Sequence, residues 1–330
     1  MLRLIHSRPR QPRRMPATAK TCSPSRRSAS TFPRTSQLSD EAPLASRRAF
    51  LKRSASVLLV SGMSGSLLSA CGGGNLDADQ PATPRLASVD NFRDLAGAAA
   101  GYPTVDGKQM RRGAFYRANA LTLNTTDQAT IDRLGIASVY DLRTPGEIAR
   151  TADILPSGAT TQTLNVLGIT DIVAPNFETA GAAVAFMESQ ARGNVTGAAQ
   201  RAAYGALLTS LAEGPGAQLF HSNAGKDRAG WVAALLLSIA NVPLDVIMQD
   251  YLLSNVYLAP SIETQTNRLR AQDGDAIASA EAPLMNVQEN YLQAGFDQVQ
   301  AIYGTMMSYL TQGLGVSQTT IDTLHNRLVV

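Results

Sequence analysis

Four short apolar segments alternate with segments of helical period along the middle of the chain. The predicted strands are Gly113–Tyr116, Ser138–Leu142, Thr161–Val166 and Gln218–His221. Helical spacing occurs at Asp127–Leu134, with Thr125 and Thr126 as candidate caps, at Ala203–Leu211 and at Trp231–Ala240. Strands that alternate with helices are typical of an α/β fold with a mainly parallel sheet flanked by helices.

The C-terminal third predicts more helix, and one earlier segment is ambiguous. Gln288–Gln312 and Gln318–Leu328 indicate two closing helices, separated by Gly313 and Gly315. Gly168–Gln200 is rich in Ala and Gly and has only weak periodicity. It is either a helical lid over a site or a peripheral helix with its loop, and the pattern does not decide between the two.

Charge separates the N-terminal segment from the rest of the chain. Residues 1–53 contain 13 Lys and Arg against 2 Asp and Glu, whereas residues 54–330 contain 16 against 24, a net charge of −8. An acidic body argues against nucleic-acid binding.

The N-terminal segment carries two export signals in sequence. Ser46–Lys52 (SRRAFLK) resembles the bacterial twin-arginine motif. The apolar run Ser54–Ala70 is too short and too rich in Ser and Gly for a membrane span. Leu68–Cys71 resembles a lipoprotein cleavage box, which implies that Cys71 becomes the lipidated first residue of a cell-envelope protein, with a lipid anchor and no span. The alternative is an uncleaved membrane-proximal helix with an ordinary cysteine.

These signals divide the chain into three predicted parts. Residues 1–70 form the signal segment with its basic start, and residues 71–84 form the lipidated Cys71 and a flexible linker rich in Gly and Pro. Residues 85–330 form one folded domain. The predicted mature chain has no cysteine besides Cys71, so neither a disulfide framework nor a cysteine metal site is available.

His221–Trp231 (HSNAGKDRAGW) has the composition of an anion-binding loop between a strand and a buried helix. Successive backbone N–H groups and a helix N-terminus attract an anion at this place in an α/β sheet. Arg228 adds a planar fork and Lys226 a point charge. The loop lacks the Gly-Lys-Ser/Thr of nucleotide triphosphatases and the G-x-S-x-G of serine hydrolases. The predicted ligand contacts are His221, Asn223, Ala224, Gly225, Lys226 and Arg228.

His221–Gly230 resembles the H-C-x-x-G-K-D-R-T-G signature of a branch of the bacterial tyrosine-protein phosphatases. Similarity to that branch extends to Asn91–Gly97, Arg111–Arg117, Leu134–Arg143, Asp250–Asn255 and Tyr303–Leu310. It therefore covers about residues 88–330. The resemblance implies a cysteine-dependent tyrosine-phosphatase-like fold, no cofactor or metal, and a phosphorylated protein or a phosphoinositide-like ligand as partner.

The resemblance also implies roles for individual residues. Ser222 occupies the position of the nucleophilic cysteine, and Arg228 that of the arginine that holds the phosphoryl oxygens. A general acid protonates the leaving group, and either Asp227 or Asp141 could serve. Asp141 could equally be an ion-pairing carboxylate beside Arg143.

Serine at position 222 departs from the family pattern and leaves the function open. An alcohol needs a base or a metal to activate it. His221 is adjacent, but neighbouring side chains diverge on a strand, and the sequence spacing shows no metal-ligand cluster. Ala229 stands where the family usually has a threonine that helps to expel the thiolate. Three functions remain: phosphate-monoester recognition with little or no turnover, hydrolysis by another nucleophile such as water directed by Asp227 or Asp141, and an envelope lipoprotein that acts through protein contacts.

Overall fold

The computed structural model describes residues 83–98, 100–173 and 175–330. The signal segment, Cys71 and nearly all of the linker lie outside these residues, so what the sequence predicts for them stays a prediction. Among the helices that are described, none combines the length and the apolar character needed to cross a bilayer.

A five-stranded sheet forms the centre of the domain. Its strands are β1 (Arg93–Asp94), β2 (Phe115–Ala118), β3 (Ile136–Asp141), β4 (Thr160–Thr163) and β5 (Ala217–His221). They are ordered β1-β2-β5-β3-β4, and every neighbouring pair is parallel except β1 with β2. The predicted α/β fold with a mainly parallel sheet is therefore confirmed, and the loop that follows β5 lies at the middle of the sheet.

Helices flank this sheet and form most of the C-terminal half of the chain. They are α1 (Thr125–Asp132), α2 (Pro145–Arg150), α3 (Ala180–Thr196), α4 (Ala198–Glu213), α5 (Arg228–Ile239), α6 (Leu244–Tyr257), α7 (Ala259–Met285), α8 (Glu289–Tyr303), the single turn α9 (Met306–Ser308) and α10 (Gln318–Leu328). A π-helical turn, Tyr309–Gly313, follows α9.

The buried side chains form two clusters because successive residues of a strand point to opposite faces of the sheet. In β5, Leu219 belongs to one cluster and Phe220 to the other. The larger cluster contains nearly all of α5, whose side chains from Ala229 to Leu237 are all buried. A helix that is apolar on all sides is stable only when other elements of the protein cover it. The start of α5 is therefore held in place where it joins the loop that follows β5.

Several predicted boundaries differ from those of the structure by a few residues, and two of the differences have a local reason. Asn124, and not Thr125 or Thr126, caps α1, because its side chain accepts a hydrogen bond from the Asp127 amide at 2.8 Å. The predicted single helix Gln288–Gln312 ends at Tyr303, because Gly304 adopts a left-handed φ of 73°. Glycine takes that conformation without the steric cost that other residues meet.

Candidate active site

The loop Ser222–Asp227 joins the carboxyl end of β5 to the first turn of α5. Ligands of open α/β sheets bind at this edge, and the unpaired N–H groups of a helix N-terminus favour an anion there. The structure therefore brings the loop residues predicted from the sequence together at one place. Ser222 is buried at the start of the loop, directly after the last strand residue, His221.

Hydrogen bonds from outside the loop fix the direction of its peptide groups. The bonds run from Ala120 N to Asn223 O (3.1 Å), from Asn91 Nδ2 to Ala224 O (3.1 Å) and from Arg117 Nη2 to Gly225 O (2.8 Å). In a trans peptide the N–H points opposite to the C=O. Because three consecutive carbonyls are turned outward, the three following amides point into the loop, where they can form a nest for an anion.

Gly225 is the residue that allows this loop to form. Its φ is 70°, in the left-handed region, and a Cβ atom there would lie 2.2 Å from the carbonyl oxygen of Ala118. Both the conformation and the close approach to β2 require a residue without a side chain.

A buried ion-pair network supports the loop from below. Asp250 on α6 accepts from Arg117 at 2.8 Å and from Arg93 at 3.3 Å, and Tyr102 donates to it at 3.3 Å. Burial by itself would raise the pKa of Asp250, but the two guanidinium groups hold this pKa below its usual value. Burial also lowers the pKa of Arg117 to about 10, which leaves its guanidinium charged at neutral pH. Asp250 thus keeps in place the arginine that holds the Gly225 carbonyl.

Arg228 is oriented by a carboxylate that the sequence analysis missed. Glu147 on α2 accepts from Nη1 at 2.8 Å and from Nη2 at 2.6 Å, while the carbonyl of Leu142 accepts from Nη1 at 3.2 Å. Burial would raise the pKa of Glu147, but the contact with Arg228 holds this pKa below its ordinary value.

These contacts leave one edge of the Arg228 guanidinium available. A guanidinium has five N–H donors, and three of them are used by Glu147 and by the Leu142 carbonyl. The remaining two, on Nε and Nη2, are parallel and lie along one edge. Such an edge matches two oxygens of a phosphate group.

The two other charged positions of the loop pair with each other. Lys226 donates to both carboxylate oxygens of Asp227, at 3.0 and 2.8 Å. The side chain of Asp227 is 41% exposed and lines the cleft above the loop, whereas that of Lys226 is almost buried. Asp227 is therefore the loop carboxylate that a ligand can reach.

Asp141 lies in a different environment from Asp227. Its two carboxylate oxygens accept from Nε and Nη2 of Arg143, at 2.9 and 2.8 Å, and the group is buried. It does not line the cleft that contains Ser222. This is the ion-pairing arrangement that the sequence left open.

Arg143 and His221 join Asp141 to a second carboxylate. Asp153 accepts from Arg143 at 2.7 Å, and its Oδ2 atom lies 3.1 Å from His221 Nε2. Burial opposes ionisation of Asp153, but His221, the Leu121 amide and Arg143 together hold its pKa below its usual value.

Asp141, Asp153 and His221 each place one potential metal-ligand atom within 4.8 Å of the others. The sequence spacing gave no sign of this cluster, because its members come from three separate segments. The guanidinium of Arg143, however, already pairs with both carboxylates. Their partners therefore fit an ion-pair cluster behind the loop better than a metal centre.

A cleft of 690 Å³ opens above the loop. The loop forms its floor, and Phe186 and Met187 of α3 form part of one wall. The ambiguous segment Gly168–Gln200 therefore borders the site and is not merely peripheral. Residues of α7, for which the sequence analysis predicted no helix, form the opposite wall.

The signal for Glu147 was present in the sequence. Thr144 and Glu147 have the spacing of a capping box directly after β3, and both reciprocal hydrogen bonds of that motif are formed. The motif predicts the start of α2, but it does not predict that the same carboxylate reaches a residue 81 positions away.

Comparison with known proteins agrees with this geometry. Residues 84–330 match the family model described as the tyrosine phosphatase family. The chain is 30% identical over 295 residues to the triple specificity protein phosphatase PtpB of Mycobacterium tuberculosis, a match that covers 75% of this chain and 99% of that protein. It is 31% identical over 238 residues to a putative tyrosine-protein phosphatase of Cupriavidus necator, covering 69% of this chain and 83% of the relative.

A tyrosine-protein phosphatase of Nostoc commune is 29% identical over 241 residues, which are 70% of this chain and 80% of that protein. The family match covers the whole described domain, from the residues before β1 to the C-terminus. The chain therefore belongs to the tyrosine phosphatase family, a family of phosphate-monoester hydrolases.

Proposed function

We propose that this protein recognises a phosphate monoester in its tyrosine-phosphatase site and turns it over slowly or not at all. The observation that carries the proposal is the anchoring of three loop carbonyls, which directs three amides toward a common point. None of these contacts depends on the identity of residue 222. Recognition is thus built from the backbone and from the free edge of Arg228, while the nucleophile is a serine hydroxyl.

Two aspartates were candidates for the general acid, and we assign that role to Asp227. It lines the cleft and is reachable by a leaving group, whereas Asp141 is buried and does not line the cleft. Lys226 keeps the Asp227 carboxylate beside the loop. The same carboxylate would direct a water molecule if hydrolysis occurs without Ser222, which is the competing function.

The binding proposal predicts that the native chain binds phosphotyrosine and that Arg228→Lys weakens this binding roughly 10- to 100-fold. Lysine keeps the positive charge next to Glu147 but loses the two parallel donors, and a hydrogen bond to a charged group contributes about 1.5–3 kcal/mol. Isothermal titration calorimetry at a fixed salt concentration measures the effect.

Arg150→Lys is the matched control for this experiment. Arg150 also makes a two-pronged pair with a carboxylate, that of Asp171, but it is exposed and does not line the cleft. We expect it to leave the affinity unchanged. A native chain that binds neither phosphotyrosine nor inorganic phosphate would contradict the proposal and favour a lipoprotein that acts through protein contacts.

We further propose that the chain is exported and anchored by a lipid on Cys71. The support is the order of a twin-arginine motif, an apolar run and a cleavage box in residues 46–71. Mass spectrometry of the membrane-bound protein tests it, with a mature chain that begins at a diacylglyceryl-modified Cys71 as the expected result. A chain that retains residues 1–70 would overturn the proposal, and Cys71→Ala should abolish both cleavage and anchoring.

A further inference from the structure

The wall of the cleft formed by α7 carries a regular polar stripe. Its residues follow one another at intervals of four, three and four positions, and all of them line the cleft. They are Ser261, Gln265, Arg268 and Gln272. Side chains at this spacing lie on one face of a helix. One continuous face of α7 therefore presents hydrogen-bonding groups to the space above the loop Ser222–Asp227.

Most of this stripe is available for a ligand. Ser261 donates a hydrogen bond to Asp90. The side chains of Gln265, Arg268 and Gln272 make no hydrogen bond or ion pair with any residue in the described part of the chain. Arg270, two positions along the same helix, behaves differently, because it pairs with Asp275 at 2.7 Å across the break in α7 at Gly274. The helix thus offers one unpaired and one paired arginine.

The charges of the cleft set limits on its ligand. Among the described residues that line it, Lys226 is paired with Asp227 and Arg228 with Glu147, which leaves Arg268 as the cation without a carboxylate partner. Glu281 also lines the cleft. A ligand with a phosphate and one further carboxylate complements these charges. A ligand with several phosphates carries more negative charge than Arg268 can pair. Its like charge beside the Glu281 carboxylate disfavours it.

The opposite side of the cleft is apolar next to the loop. Ile172, Phe186 and Met187 line both the main cleft and an adjoining pocket of 180 Å³ that also reaches Asp227 and Arg228. An apolar cavity of about 150 Å³ is sufficient for a benzene ring. An aromatic ring that carries the phosphate can therefore pack against this side while the rest of the ligand extends along α7.

We propose that Arg268 binds a carboxylate side chain next to a phosphotyrosine in a peptide, so that the site prefers acidic phosphopeptides. Gln265 and Gln272 flank Arg268 on the same helix face, and each carboxamide can both donate to and accept from a peptide backbone. This inference rests on the proposed function, since it requires that the loop holds the phosphate.

Two phosphotyrosyl pentapeptides that differ only in charge test the proposal. One has Asp on both sides of the phosphotyrosine, and the other has Asn at these positions. The native chain should bind the Asp peptide roughly 3- to 5-fold more tightly, near the upper limit measured for exposed ion pairs. Arg268→Gln should remove this preference and Arg268→Lys should retain most of it. The matched control Arg270→Gln should leave it intact.

The outcomes separate this inference from the proposed function. A native chain that binds phosphotyrosine amide but binds both peptides equally overturns the inference alone, as does a preference that survives in Arg268→Gln. A chain that binds none of these ligands overturns the proposed function with it. Tighter binding of a soluble inositol bisphosphate than of the Asp peptide, with the same dependence on Arg268, would identify a polyanionic headgroup as the occupant and contradict the proposal.

Discussion

Replacement of Ser222 by cysteine is expected to raise the rate of aryl phosphate hydrolysis by a factor on the order of 10⁴. A free thiol loses its proton with a pKa of about 8.5, whereas an alcohol is closer to the value of about 15.7 for water. The difference of about 7 pKa units corresponds to ~10 kcal/mol. The serine alkoxide is the stronger base and therefore the better nucleophile once formed. At a Brønsted slope of ~0.4–0.5 this offsets slightly less than half of that free-energy difference. About 5 kcal/mol therefore separates the two nucleophiles.

The loop should accept the cysteine without rearrangement. Its position is set by hydrogen bonds that residues outside the loop donate to its backbone carbonyls, and these do not involve the side chain of residue 222. Steady-state release of phosphate from an aryl phosphate compares the native chain with Ser222→Cys. Ser238→Cys on α5 is the matched control for a thiol placed away from the loop, and it should match the native rate. If the native chain already approaches the rate of Ser222→Cys, another group performs the reaction and the recognition-only proposal is wrong.

The variant also tests the assignment of the general acid. In the Ser222→Cys background, Asp227→Asn should slow the hydrolysis of substrates with poor leaving groups by a further 10²–10⁴-fold, the usual contribution of a positioned acid. Substrates with good leaving groups should be affected much less, since they depart without a proton. An equal loss for both kinds of substrate would indicate that Asp227 only orders the loop.

Asp250→Asn is expected to lower the free energy of unfolding by about 3–5 kcal/mol, the cost of leaving a buried charge without its partner. Arg93 and Arg117 would keep their charges in the interior without the carboxylate that now pairs with both. The loss should also weaken phosphate binding, because Arg117 holds the Gly225 carbonyl. Urea unfolding at neutral pH measures the stability, and calorimetric titration with phosphotyrosine measures the second effect.

The acid sensitivity of this variant provides an independent check. The pKa of Asp250 in the folded protein is below its unfolded value of about 3.9, so its contribution to stability is complete above that pH. It is lost as the pH falls through the folded pKa. The stability difference between the native chain and Asp250→Asn should therefore shrink in acid. Asp245→Asn, an exposed change in the first turn of the same helix, should cost less than about 1 kcal/mol at any pH.

Local patterns in the sequence were sufficient for the four parallel strands and for the loop, but not for the two-residue strand β1. The strand that ends at His221 and the buried helix after Arg228 follow from apolar periods and from the loop between them. The sequence could not predict the partner of Arg228, because Glu147 becomes its neighbour only when β3 and β5 pair. The wall formed by α7 was missed because the helix is mostly polar and exposed, so no apolar stripe marks it.

The anchoring of the loop carbonyls also determines which experiments can detect the site. The amides that point into the loop belong to the main chain of Ala224, Gly225 and Lys226, and no change of side chain removes them. An alanine scan leaves Ala224 as it is and deletes no backbone N–H group, so it would not detect the groups that carry the ligand. Protection of the loop amides from hydrogen exchange when phosphate is added would reveal them directly. This protection should appear both in the native chain with its serine at position 222 and in the Ser222→Cys variant with restored hydrolysis.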